Sequence, residues 1–173
     1  AGLPCPVVSA GSTPTASCGL DWRGVNELRP GNYLLYDLTQ VAIGSCGLGD
    51  VACSVLATVI GHKRDRGHLT VNAGSLAMST DGGAAARHRD YGYGLICDLG
   101  GKPVGSLHLA SLSQEHGWVR ALAGEQLPFD SLLVGAPVRI LPSHSCTTAA
   151  GWPAFAVVQG EAAVATWARA GGW

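Results

Sequence analysis

Val51, Cys53, Val55, Ala57 and Val59 alternate with other residues, which is the spacing of a strand with one face buried. Short apolar runs of the same kind recur along the chain. Residues 3 to 9 read as a short buried strand, Leu69 to Gly74 as another, and Ala136-Pro137-Val138-Arg139-Ile140 as a third. Tyr91 to Asp98 and Val104 to Leu112 flank Leu99-Gly100-Gly101-Lys102-Pro103, and Ala154 to Val158 and Ala162 to Ala168 flank Gln159-Gly160-Glu161. Both arrangements are hairpin signals. Arg29 to Asp37 predicts a turn leading into a β-prone run with two tyrosines, residues 40 to 50 a Gly-rich loop, and His62 to His68 a solvated hairpin loop. A polar Gly-rich loop is expected to run through Asp90. Helical periodicity is almost absent. The pattern predicts a mainly β chain, an antiparallel barrel or sandwich over residues 29 to 173.

Composition narrows the class. A chain of 173 residues with 47% hydrophobic and 13% charged residues is globular and long enough for a sizeable core. A net charge of −1 and a pI near 6.6 leave no basic footprint for nucleic acid or an anionic membrane. No apolar run approaches the roughly 20 residues that cross a bilayer, so the expectation is a soluble, cytoplasmic protein. Its six scattered cysteines read as free thiols of a reducing compartment. The apolar run directly after Ala1 reads as a chain joined in mid-fold.

Candidate chemistry centres on Pro142-Ser143-His144-Ser145-Cys146, which follows the third run. In extended backbone, residues two apart share a face. An imidazole and a thiolate there could hold zinc with coordination positions left open, the mark of a catalytic site. The alternative is a cysteine buried as a small hydrophobe. After the first strand, Ser9-Ala10-Gly11-Ser12-Thr13-Pro14-Thr15 offers free N–H groups and hydroxyls that could wrap a phosphate, or it is an ordinary turn. Gly31 and Asn32, close to Tyr33, offer further donors; packing of Tyr33 and Tyr36 in the core is the competing reading. Glu115-His116 could serve acid–base chemistry, but neighbours on a strand face opposite ways, which favours a structural role.

Val7 to Thr15, Glu27 to Asp37, Ala73 to Asp81, Gln114 to Gly117, Pro142 to Cys146 and Ala165-Thr166-Trp167 together resemble, in order, the D-serine dehydratase-like family of pyridoxal-phosphate enzymes with the alanine-racemase type of fold. The resemblance covers the family's C-terminal half. It implies that residues 1 to 28 are the last piece of an α/β barrel and residues 29 to 173 the C-terminal β-domain. It further implies zinc on His144 and Cys146, and Gly11, Ser12, Thr13, Gly31, Asn32 and Tyr33 near the phosphate of pyridoxal phosphate. The family's Schiff-base lysine belongs to the N-terminal barrel half; only Lys63 and Lys102 occur here, outside any family motif.

The activity implied is elimination of the β-hydroxyl of a D-amino acid to give a keto acid and ammonia. It would be exercised with the missing barrel half, as a homodimer in the complete enzyme, and the chain alone would be inactive. Cys146 tilts the reading to a dehydratase, because the aldolase branch tends to carry a carboxylate there. A D-threonine aldolase or racemase relative and a non-catalytic metal-binding β-domain are the alternatives.

Overall fold

The computed structural model describes residue 2 and residues 4–82, 91–122 and 125–171. The start of the first expected strand, at Leu3, and most of the polar loop expected up to Asp90 lie outside the described residues. The chain opens with β1 (Ser9–Gly11), α1 (Thr13–Cys18) and β2 (Glu27–Arg29), in which β1 and β2 form a two-stranded parallel sheet. A 3-10 turn over Asn32–Leu34 leads to α2 (Leu38–Ile43). Then follow β3 (Val55–Lys63), β4 (His68–Val71), α3 (Ser75–Met78), β5 (Gly94–Cys97), β6 (Pro103–Leu112), β7 (Gly117–Arg120) and β8 (Pro137–Pro142). The chain ends with α4 (Ser145–Ala150), β9 (Ala154–Gln159) and β10 (Ala162–Ala168).

The six strands β3 to β8 close into a barrel in the order β3-β4-β7-β6-β5-β8, with every neighbouring pair antiparallel. Closure leaves no open sheet edge. Val55, Ala57 and Val59 point inward with Leu69, Val71, Ile96, Leu109, Val119, Val138 and Ile140, while Leu56 between them is exposed. That is the alternation seen in the sequence. The ladder starts at Val55, where β8 supplies Ile140 as its partner; past that residue β8 pairs on through Leu141 and Pro142 with β5.

The strand β5 is buried on both faces. Ile96 fills the barrel, while Leu95 and Cys97 pack outside it with Leu141 under Leu38 of α2. The short helix α2 is thereby seated on the outer wall, beside the end of β8.

Several local expectations are corrected. Helix α2 takes up residues 40 to 43 of the expected Gly-rich loop; it is capped by the Asp37 side chain and stopped at Gly44, whose φ of 87° is left-handed. The run with two tyrosines is a 3-10 turn and loop rather than a strand. The first strand is confined to Ser9–Gly11, and Val7 and Val8, expected inside, are 61% and 41% exposed because nothing in the described chain covers them. The hairpin of β9 and β10 forms as expected but stands outside the barrel as a separate two-stranded sheet. Among the described residues no helix is long and apolar enough to cross a membrane.

Candidate functional site

Where β8 ends, the chain is pinned on two sides. The Ser143 N–H donates to the Tyr93 carbonyl at 3.2 Å and its hydroxyl to the Gly92 carbonyl at 2.7 Å. The Ser143 carbonyl accepts from the N–H and hydroxyl of Thr39 on α2, at 3.3 and 2.7 Å. Ser143 is fully buried, so the residue that follows starts from a fixed point.

That residue is His144, the N-cap of α4, and Cys146 sits within the first turn of the helix. The strand alternation expected to bring the pair to one face is therefore not the local geometry. His144 has extended backbone, φ −137° and ψ 102°, whereas Cys146 is helical. The hydroxyl of Thr148 ties α4 down, lying 2.6 Å from the Met78 carbonyl of α3 and 2.9 Å from the His144 carbonyl.

The imidazole of His144 is held by a carboxylate. Its Nδ1 lies 2.5 Å from Oδ2 of Asp81. Asp81 is aimed by the turn after α3, where Ser79 adopts φ 73° and its hydroxyl accepts the Asp81 N–H at 3.1 Å. With Nδ1 engaged as a donor, Nε2 is the nitrogen that carries the lone pair, the tautomer a metal ligand needs. The Cys146 thiol is pushed above its ordinary value, first by burial and then by the negative charge of Asp37, against weaker hydrogen bonding from Ser145. It is a thiol at neutral pH until something displaces its proton. Among the described residues no three His, Cys, Asp or Glu side chains gather as a metal cage. An imidazole nitrogen and a thiol sulfur are ligand types that suit zinc, and two protein ligands would leave coordination positions open.

The second group of candidates lies at the ends of β1 and β2. Because Gly11 pairs with Arg29 in parallel register, Ser12-Thr13 and Pro30-Gly31 leave the small sheet at the same end. This is the end at which parallel sheets receive ligands. Ser12, at φ 91°, caps α1 through its hydroxyl, which accepts the Thr15 N–H at 3.2 Å. The Thr13 hydroxyl is buried and has no hydrogen-bond partner among the described residues, so it fits the role of a donor to a phosphate oxygen. The side chain of Asn32 is committed elsewhere: it reaches Asp37 and Ser145. Tyr33 is exposed, next to Gly31 and Asn32 in the 3-10 turn.

Glu115 and His116 lie in the turn between β6 and β7 and line a cavity of about 290 Å³ with Asn72, Gly74, Leu76, Ala77 and Gln114. Gly74 permits this close approach, since a Cβ there would sit 2.5 Å from the Gln114 carbonyl oxygen. The pair belongs to a wall that includes neither His144 nor Cys146.

In the sequence Asp37 and Asp81 stand out only as the ends of the stretches Glu27 to Asp37 and Ala73 to Asp81, and Ser145 only as the residue between His144 and Cys146. One signal for Asp37 was present: an aspartate followed three residues later by glutamine opens a helix.

Fold and site together define a closed antiparallel β-barrel domain bearing a histidine–cysteine pair beside the barrel wall. The family "Putative serine dehydratase domain" matches residues 52–158, and the chain belongs to it. D-threo-3-hydroxyaspartate dehydratase from Delftia sp. is 46% identical over 175 residues, covering all of this chain and 46% of that protein. Its solved structure superposes with a TM-score of 0.90. It has also been solved as a histidine-to-alanine variant and as a cysteine-to-alanine variant in the metal-free form, the two positions being two residues apart. D-serine dehydratase from Dictyostelium discoideum is 34% identical over 92% of this chain and 41% of its own length. D-threonine aldolase from Filomicrobium marinum superposes with a TM-score of 0.67 at 27% identity. The chain spans less than half the length of the two dehydratases.

Proposed function

We propose that this chain is the metal-bearing part of a pyridoxal-phosphate-dependent D-amino-acid dehydratase, acting on a D-3-hydroxy amino acid. The single observation that carries the reading is the His144–Cys146 pair with Asp81 on the imidazole, in a chain 46% identical to a D-threo-3-hydroxyaspartate dehydratase. The two-residue spacing equals that of the histidine and cysteine replaced in the Delftia variants, one of which is metal-free. The aldolase reading has weaker support, at 27% identity against 46%.

When bound, zinc would supply Lewis-acid stabilisation of the departing β-oxygen, and pyridoxal phosphate an electron sink for the Cα electrons. This chain's residues prepare for both. His144 would present Nε2, Asp81 would keep the ring oriented, and Cys146 would bind as the thiolate, its proton displaced by the metal. Gly11, Ser12, Thr13, Gly31, Asn32 and Tyr33 form the phosphate side, with Thr13 contributing its unpartnered hydroxyl and Asn32 its backbone. Lys63 and Lys102 are exposed, at the end of β3 and in the turn before β6. Neither stands near these elements in sequence or topology, so the Schiff-base lysine comes from a separate barrel half, to which residues 1 to 28 contribute the last piece. The complete enzyme is a cytoplasmic homodimer in this reading, consistent with six free cysteines.

The test is reconstitution. The purified chain with added pyridoxal phosphate is expected to form no keto acid from D-serine or D-threo-3-hydroxyaspartate. Adding the lysine-bearing half of the Delftia dehydratase restores turnover, and His144→Ala or Cys146→Ala then abolishes it. Turnover by the chain alone overturns the divided site; full activity of both variants overturns the metal role.

A further inference from the structure

Asp37 is completely buried, and none of the ion pairs among the described residues involves it. A buried carboxylate without a cation is costly unless donors surround it. Here they come from three segments. Oδ1 accepts the Gln40 N–H at 2.9 Å, the N-terminal cap of α2. Oδ2 accepts the Asn32 amide at 2.5 Å and the Ser145 N–H at 3.0 Å. The Ser145 hydroxyl donates to Asn32 Oδ1 at 2.6 Å, closing a ring of three side chains.

Each carboxylate oxygen has its own task. Capping α2 requires Oδ1 alone, and asparagine caps a helix as well as aspartate does. Oδ2 is spent entirely on Ser145, the residue between His144 and Cys146, and on Asn32, in the loop that leaves β2 beside Ser12 and Thr13. We infer that Asp37 is a positioning residue for the metal ligands: through Oδ2 it fixes the backbone between His144 and Cys146 and ties it to the phosphate-side loop at Asn32. This rests on the metal reading of the pair. Its negative charge, unpaired by any cation of the described chain, also favours a divalent cation nearby.

Asp37→Asn separates the two tasks. The side-chain oxygen still caps α2, but the new amide meets two donors, the Ser145 N–H and the Asn32 amide, and the tie is lost. The chain is titrated with Co²⁺, whose thiolate charge-transfer and d–d bands report ligand geometry. Wild type binds one Co²⁺ with a thiolate band that Cys146→Ala removes. Asp37→Asn binds about tenfold more weakly, the scale of losing a partner that orients a ligand, and its d–d bands are altered. Ser145→Ala, which loses only the hydroxyl tie, shows a smaller loss in the same direction. Leu109→Ala, which weakens the barrel without touching the ring, keeps the wild-type spectrum. Wild-type affinity and bands in Asp37→Asn overturn the inference, as does an equal loss in Leu109→Ala. If Asp37→Asn does not fold, wild-type affinity and bands in Ser145→Ala overturn it. Failure of the wild type to bind Co²⁺ removes the metal reading and this inference with it.

Discussion

His144 and Asp81, 63 residues apart in the chain, meet with Nδ1 2.5 Å from Oδ2 at the point where β8 gives way to α4. Both side chains are partly open to solvent, so the contact adds little to the stability of the fold. What it does is select a tautomer and an orientation for the imidazole.

Replacing Asp81 with asparagine leaves an oxygen for the Nδ1–H but removes the charge. Zinc affinity, measured by competition with a chromophoric chelator, is expected to fall about tenfold, with the thermal midpoint of the metal-free chain nearly unchanged. His144→Ala lowers affinity further. An affinity equal to wild type in Asp81→Asn shows that the carboxylate does not orient a ligand.

Two structural thiols set a pH limit on the metal-free chain. Burial pushes Cys53 and Cys97 up to about 11, against an ordinary value of 9.0, with the negative charge of Asp37 adding to Cys53 and that of Asp98 to Cys97. Their folded-state values lie above the unfolded ones, so the unfolded chain loses these protons first. The stability they contribute is present below about pH 9 and lost as pH rises towards 11, on the order of 2 kcal/mol for each thiol. Urea unfolding at pH 8 and pH 10.5 measures the loss, and Cys97→Ala should reduce its pH dependence.

Gly94 on β5 lies against β8. A Cβ there would sit 2.7 Å from both the Leu141 carbonyl oxygen and Ile140 Cγ2. Gly94→Ala must therefore displace the strand that leads into His144, at a cost of about 1–3 kcal/mol. Both the urea midpoint and the zinc affinity should drop. A midpoint within error of wild type means that β8 yields without strain.

The β1–β2 unit has only two strands and exposed Val7, Val8 and Leu28. Two-stranded sheets are marginal in water. Hydrogen exchange of the isolated chain should be fast over residues 9 to 29 and slow over Ala57 to Val59, where β3 is paired within a closed barrel. Equal protection in the two segments contradicts this ordering.

The sequence by itself determined what depends on near neighbours. The alternation of Val55, Ala57 and Val59 records one buried face, and the turns at residues 99 to 103 and 159 to 161 record hairpins, because turn chemistry and the pleat act over a few residues. The His144-x-Cys146 spacing and the run of small residues at Gly11 to Thr13 are likewise local features, although that run is the end of β1 and the start of α1 rather than a loop. The helices α2 and α4, six residues each, are too short to show a helical period, and their formation depends on caps and packing. Only the tertiary structure decided the rest: β8 lies between β3 and β5, β7 joins β4 to β6, and the last hairpin stays outside the barrel. It also decided that Asp81 meets His144 across 63 residues and that Asp37 meets Ser145 across 108. Such contacts form because closing the barrel returns distant segments to one place, and no local propensity encodes which segments those are.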